Sequence, residues 1–345
     1  MNQFSLDNDY AFDDDQYAQF AADFDPMQND RQARRKRKPK VKHTPKKAEN
    51  EIIEEIADTA GMEGGFEITY RPSLHEAGWL MDSLQPFYEE HLIDDVLAIL
   101  KGGKEASVYR CNAVERGNNP FLAAKVYRPR MFRNLRNDKM YREGRDTLTL
   151  TGRPAKHNDQ RLLRAMDKRT SFGAQMAHTS WLMHEFNTLK MLHEAGAAVP
   201  HPISAGSNAI LMTYYGDERM AAPTLQEVDL DRDEAQMVFN EVMYHIDLML
   251  RLDVIHGDLS AFNILYWEGQ IVLIDFPQVI DPHVNSNAYS ILERDITRVC
   301  EYFQRKGVDC NEEAITTEMW QRYLAVDPED RKADLSRYEE EEEID

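Results

Sequence analysis

Apolar residues along this chain change rhythm several times, and each rhythm predicts a different element. From about residue 70 the spacing is helical: Trp79, Leu80, Leu84, Phe87 and Tyr88 recur at roughly three and four residues. The next stretch, HLIDDVLAIL, predicts a second short helix. At KGGKEASVYRC the pattern turns to short β-like runs, bounded by the turn-like ERGNNP. FLAAKVYR then reads as a strand with Phe121, Ala123, Lys125 and Tyr127 on one face. A lysine inside such a strand is costly unless it has a partner. Residues 128–177 show little periodicity and read as partly helical, then a long mobile loop. TSWLMHEFNTLKMLHEAG is helical again, striped by Leu182, Phe186, Leu189 and Leu192, with Glu185 in its interior and Gly196 placed to stop it. VPHPISAGSNAILMTYYGD predicts strand, turn, strand and a bend near Gly216. DRDEAQMVFNEVMYHIDLMLRLD predicts a strong helix whose stripe of Phe239, Val242, Met243, Ile246 and Leu250 is core.

The stretch VIHGDLSAFNILYWEGQIVLIDF, residues 254–276, sets polar groups in an apolar run. FNILYW and QIVLID are strand-like and flank Glu268-Gly269, the signal of a hairpin with a two-residue turn. Pairing about that turn brings Asn263 and Asp275 to the same open end, with Asp258 in the loop before it. Three oxygen-bearing groups then converge, which suits a hard cation such as Mg²⁺. Phosphoryl transfer needs metal ligands, a group to position the nucleophile, a cation on the phosphates and backbone N–H groups around them. Asn263 and Asp275 are candidates for the metal, Asp258 for accepting the proton of an attacking hydroxyl, and Lys125 for the phosphates with Glu185 as its charge partner. Gly102 and Gly103 would let the backbone approach the phosphates closely. His256 reads as structural, fixing the loop.

Composition limits the alternatives. The chain has 345 residues and a formal net charge of −20, which argues for solubility and against general nucleic-acid binding by the whole surface. It lacks a run of about 18 apolar residues, so no membrane span is expected. Three cysteines, Cys111, Cys300 and Cys310, with no C-x-x-C, suggest a reduced, cytoplasmic chain. Charge is unevenly spread. Residues 1–30 hold eight Asp and no Lys or Arg, whereas residues 31–47 hold ten Lys or Arg and no acid. Residues 128–169 hold thirteen Lys or Arg against five acids, and the chain ends in YEEEEEID. Such blocks usually stay solvated. The expected organisation is a disordered acidic-then-basic arm over 1–65, a folded domain over 70–330 and an acidic tail over 331–345.

The motifs together resemble the RIO-type atypical protein kinases, from roughly Trp79 to Pro328. KGGKEASVY resembles the family's phosphate loop, AAKVYR its lysine strand, WLMHE its glutamate helix, HGDLSAFN its catalytic loop and IDFPQ its metal motif. The insertion after the lysine strand, with no recognisable winged helix before Trp79, points to the first RIO subfamily. The resemblance implies an α+β, bilobal kinase-like fold, shorter than typical kinases. Its lobes would run from about 70 to 213, β-rich with one long helix, and from about 217 to 330, mainly helical. It implies ATP with Mg²⁺, or Mn²⁺ in its place, and autophosphorylation on Ser or Thr. By position, Lys104 and Ser107 would help hold the triphosphate, and the backbone of Thr213 and Tyr215, after Met212, would meet adenine. Asp275 would also accept phosphate transiently, giving an ATPase cycle. Only about twenty residues separate Asp275 from ERDI, too few for a full activation segment. The implied role is a serine/threonine kinase or ATPase switch in small-subunit ribosome assembly, with segments 31–47 and 128–169 touching pre-ribosomal RNA. A small-molecule kinase of the aminoglycoside or choline type and a non-catalytic ATP-sensing assembly factor remain open. Gly102-Gly103 departs from the family's S-T-G, which puts the loop's hydroxyl contacts in question.

Overall fold

The computed structural model describes residues 66, 68–103, 105–115, 120–127, 141, 147–149, 152–154 and 171–324. The acidic and basic arm, the acidic tail, Lys104 and most of 128–169 lie outside them. The order is α1 (Leu74–Glu89), β1 (Ile93–Gly102), β2 (Ala106–Ala113), β3 (Phe121–Tyr127), α2 (Ser171–Glu194), β4 (Pro202–Ala205) and β5 (Ala209–Thr213). Then come α3 (Arg232–Arg251), β6 (Ile264–Trp267), β7 (Gln270–Leu273), α4 (Ala288–Arg305) and α5 (Glu312–Tyr323).

Five strands form one antiparallel sheet in the order β1-β2-β3-β5-β4. Alternation along β3 divides its side chains between two cores. Ala124 and Val126 pack with Leu80, Leu84 and Phe87 of α1. Phe121, Ala123 and Tyr127 pack with Leu182 and Met183 of α2. The sheet is therefore covered by α1 on one face and α2 on the other. A third core joins α3, α4, α5 and the β6–β7 hairpin, with Phe239, Val242, Ile246 and Leu250 among its members. This is the expected bilobal kinase-like arrangement, a small β-rich part with one long helix beside a mainly helical part. Among the described residues no helix is long and apolar enough to cross a membrane.

Two expectations are corrected. Residues 93–100 are strand, not helix, and the cause is three irregularities in the β1–β2 register, at Ile93/Asp95, Val96/Ala98 and Ile99/Lys101. Each places an extra residue in β1. The buried Ile93 and Val96 consequently stand three apart, a helical spacing. The helix α2 also begins at Ser171, ahead of its apolar stripe and inside the stretch read as loop. Its other end is as expected. Gly196 takes φ +80, its N–H donates to His193 O and the Ala197 N–H donates to Leu192 O, closing a Schellman motif.

Candidate active site

The Glu268-Gly269 turn builds one wall of the site. Both residues adopt positive φ, +50 and +81, as a type I′ turn requires. Ile264 then pairs with Leu273, and the Ile274 N–H donates to Asn263 O at 3.0 Å. Asn263 and Asp275 thus leave the hairpin at the same end. The Asn263 Nδ2 donates to Asp258 O at 2.9 Å, tying the catalytic-loop candidate to the metal-ligand candidate. Asp275 takes φ +72, a left-handed conformation that aspartate tolerates better than most residues.

The other wall is β3. Lys125 is 8% exposed, and its Nζ donates to Glu185 Oε1 at 2.6 Å and to Asp275 Oδ1 at 2.5 Å. Tyr127 also donates its hydroxyl to the Glu185 carboxylate. One ammonium thus joins the sheet, α2 and the hairpin. Burial opposes the lysine's charge, but the two carboxylates outweigh it and hold the ammonium well above the ordinary lysine range. Burial likewise opposes ionisation of Asp275. The Lys125 charge and hydrogen bond, with smaller help from His256 and Lys101, hold its carboxyl below the usual carboxylate range. The Asp275 side chain is still 43% exposed, so a ligand can reach it.

The catalytic-loop candidate is held from beneath. His256 is buried, and burial pushes its pKa down. Its Nδ1 accepts from the Asp258 N–H at 3.3 Å, so Nε2 carries the proton that it donates to Ile274 O at 3.1 Å. This is the structural role expected of it. Gly257 takes φ +83, and a Cβ there would lie 2.2 Å from Gln278 O. Its N–H donates to Asp295 Oδ2 at 2.7 Å, and Arg294 donates to its carbonyl. Arg298 Nη1 donates to Asp258 Oδ1 at 2.7 Å. These α4 partners were missed by sequence reasoning. The spacing of Arg294, Asp295 and Arg298 in ERDITR puts them on one helix face but does not say what that face meets.

Not every candidate faces the cleft. A Cβ on Gly103 would lie 2.6 Å from Ala106 O, so the tight turn itself demands glycine there; Gly102 has room for one. Ser107 is corrected: it is 1% exposed and alternates onto the α1 side of the sheet with Tyr109 and Cys111. Its hydroxyl is therefore turned away from Lys125. Met212 is buried among the Lys125-side core residues. The Thr213 N–H donates to His201 O at 3.0 Å, and Tyr215 O accepts from the Ala222 N–H at 2.9 Å.

Among the described residues, no three or more His, Cys, Asp or Glu side chains cluster to hold a metal ion. Asn263 and Asp275 fit Mg²⁺ in another way. They offer two hard oxygen donors beside an ammonium, the small protein share that Mg²⁺ takes when waters and phosphates complete its shell.

A family model described as the RIO domain matches residues 125–315. The chain is 31% identical over 232 residues to "Serine/threonine-protein kinase RIO1" of Chaetomium thermophilum, covering 64% of this chain and 41% of that protein. It is 29% identical over 215 residues to "RIO-type serine/threonine-protein kinase Rio1" of Haloferax volcanii, covering 62% and 64%. The matches thus span less than two thirds of these relatives' length. A solved structure of the Rio2 kinase from Chaetomium thermophilum superposes with a TM-score of 0.48 at 18% identity, over 78% of this chain and 76% of that one.

Proposed function

The chain belongs to the RIO domain family, and from that premise we propose that it is an ATP- and Mg²⁺-dependent serine/threonine phosphotransferase. The observation that carries the reading is the convergence of Lys125, Glu185 and Asp275 beside the linked pair Asp258 and Asn263. The relatives' names support the same activity.

Each residue has a part in this reading. Lys125, fixed by Glu185, meets the nucleotide phosphates. Asn263 and Asp275 would hold Mg²⁺, which would supply charge neutralisation at the phosphates. Asp258 accepts a hydrogen bond from the attacking hydroxyl and takes its proton. Arg298 and Asn263 hold that carboxylate in place. Backbone groups at Thr213 and Tyr215 meet the base. We take residues 70–330 as the kinase domain.

Transient phosphate on Asp275 is the second part of the proposal: a carboxylate oxygen takes the γ-phosphoryl group of ATP as ADP leaves, and water then releases inorganic phosphate, giving an ATPase cycle. It is favoured by a part-exposed carboxylate and by the short connection to α4, which begins at Ala288. An assembly role on ribosomal particles, with the basic segments meeting RNA, is proposed on the family resemblance.

Incubation with γ-labelled ATP tests the reading. Wild-type protein should incorporate phosphate, and Lys125→Met and Asp258→Ala should lose it while keeping the wild-type far-UV spectrum. Undiminished incorporation in both folded variants would refute the assignment.

A further inference from the structure

We infer that Lys101 is a second phosphate-contacting residue of the cleft and that it selects a nucleoside triphosphate over the diphosphate. This rests on the nucleotide-binding reading above and deepens it. The ladder supplies the first argument. Lys101 pairs with Val108, Val108 with Lys125, and Lys125 with Ile210, one row across β1, β2, β3 and β5. Directly paired residues stand on the same face of a sheet. Val108 packs against the core containing Tyr127 and Leu182, so that face is the one Lys125 occupies. Two strand spacings separate the two lysine backbones, about 10 Å, within reach of two extended side chains.

The register irregularity between Ile99 and Lys101 produces this placement. With no extra residue there, Leu100 would oppose Val108, and Lys101 would oppose Ser107 on the α1 side. The pairing continues to Gly102 and Ser107, so the Lys101 backbone belongs to the ladder rather than to the loop. Its side chain is exposed, and among the described residues it forms no ion pair. Its charge nevertheless acts on Glu227, in the segment between β5 and α3.

Charge supplies the second argument. Lys125 is matched by two carboxylates, so their cluster brings no net positive charge to a polyphosphate. A base at the end of β5, with phosphates passing Lys125, would present its terminal phosphate toward β1. Among the described residues, Lys101 is the exposed cation placed there.

Calorimetric titration of full-length protein with MgATP, MgADP and adenosine tests this in wild type, Lys101→Met and Lys101→Arg. One lost charge-assisted contact should weaken MgATP binding by about tenfold in Lys101→Met. MgADP should weaken by at most about twofold, and adenosine should not change. Lys101→Arg should keep the preference for triphosphate. Equal MgATP affinity in wild type and Lys101→Met would overturn the inference alone, as would equal weakening of all three ligands, which marks a merely structural role. Failure of the wild-type protein to bind MgATP would overturn the nucleotide reading together with it.

Discussion

Asp295→Asn should change how the stability of this protein depends on pH, in a direction that the structure fixes. Asp295 is 2% exposed and lies under the loop at Gly257. Burial pushes its pKa up from 3.8 to about 6, and the Arg294 charge and the N–H groups of Gly257 and Leu259 pull it only partly back. A folded-state pKa above the unfolded value means a contribution fully present below about pH 4 and lost as pH rises through about 6. A shift of about two units at ~1.4 kcal/mol each gives a loss of ~3 kcal/mol by neutral pH. Asparagine is neutral throughout and suffers no such loss, while its amide oxygen can still accept from the Gly257 N–H. Its other end replaces the oxygen that faces Arg294 at 3.4 Å, which sets a constant offset but no slope. Urea unfolding of both proteins from about pH 4 to about pH 8 reads the result directly. The stability of the variant minus that of wild type should climb by ~3 kcal/mol across the interval from about 4 to 6 and be flat above it. A difference independent of pH, or one that falls, would refute the reasoning that burial dominates at Asp295.

Two further outcomes follow from the same loop. Gly257→Ala combines a left-handed backbone with a Cβ 2.2 Å from Gln278 O, so it should cost about 3 kcal/mol and lower the melting temperature by roughly 6–12 °C; an unchanged melt would show that the loop yields freely. Arg298→Ala should lower kcat for phosphate transfer about tenfold with KM for ATP unchanged, since it removes one charge-assisted bond to Asp258 and none to the nucleotide cluster; a rise in KM alone would remove Arg298 from its positioning role.

How much of this was legible in the chain depended on the range of the interaction. The β6–β7 hairpin could be placed from sequence because its turn is two residues long and its strands pair locally, so Asn263 and Asp275 could be brought together on paper. The Lys125–Glu185 pair was legible from a different cue, a charge stranded in an apolar strand. The β1 strand was not, because its extra residues copy the spacing of a helix. Ser107 was misplaced because a motif gives position along the chain and not the face of the sheet. The α4 contacts were also hidden. Nothing local distinguishes a helical aspartate in water from one that accepts the Gly257 N–H, and the partner lies 38 residues away.

The Lys125 cluster also has an order of assembly. Glu185 follows the lysine by 60 residues and Asp275 by 150. At ribosomal speeds of about 5–20 residues per second, Asp275 is made roughly 8–30 seconds after Lys125. The emerging chain holds its lysine and its first carboxylate long before the groups proposed to handle metal and hydroxyl exist. Whatever chemistry the cluster performs is withheld from the nascent chain until the hairpin has been made and has docked against the sheet.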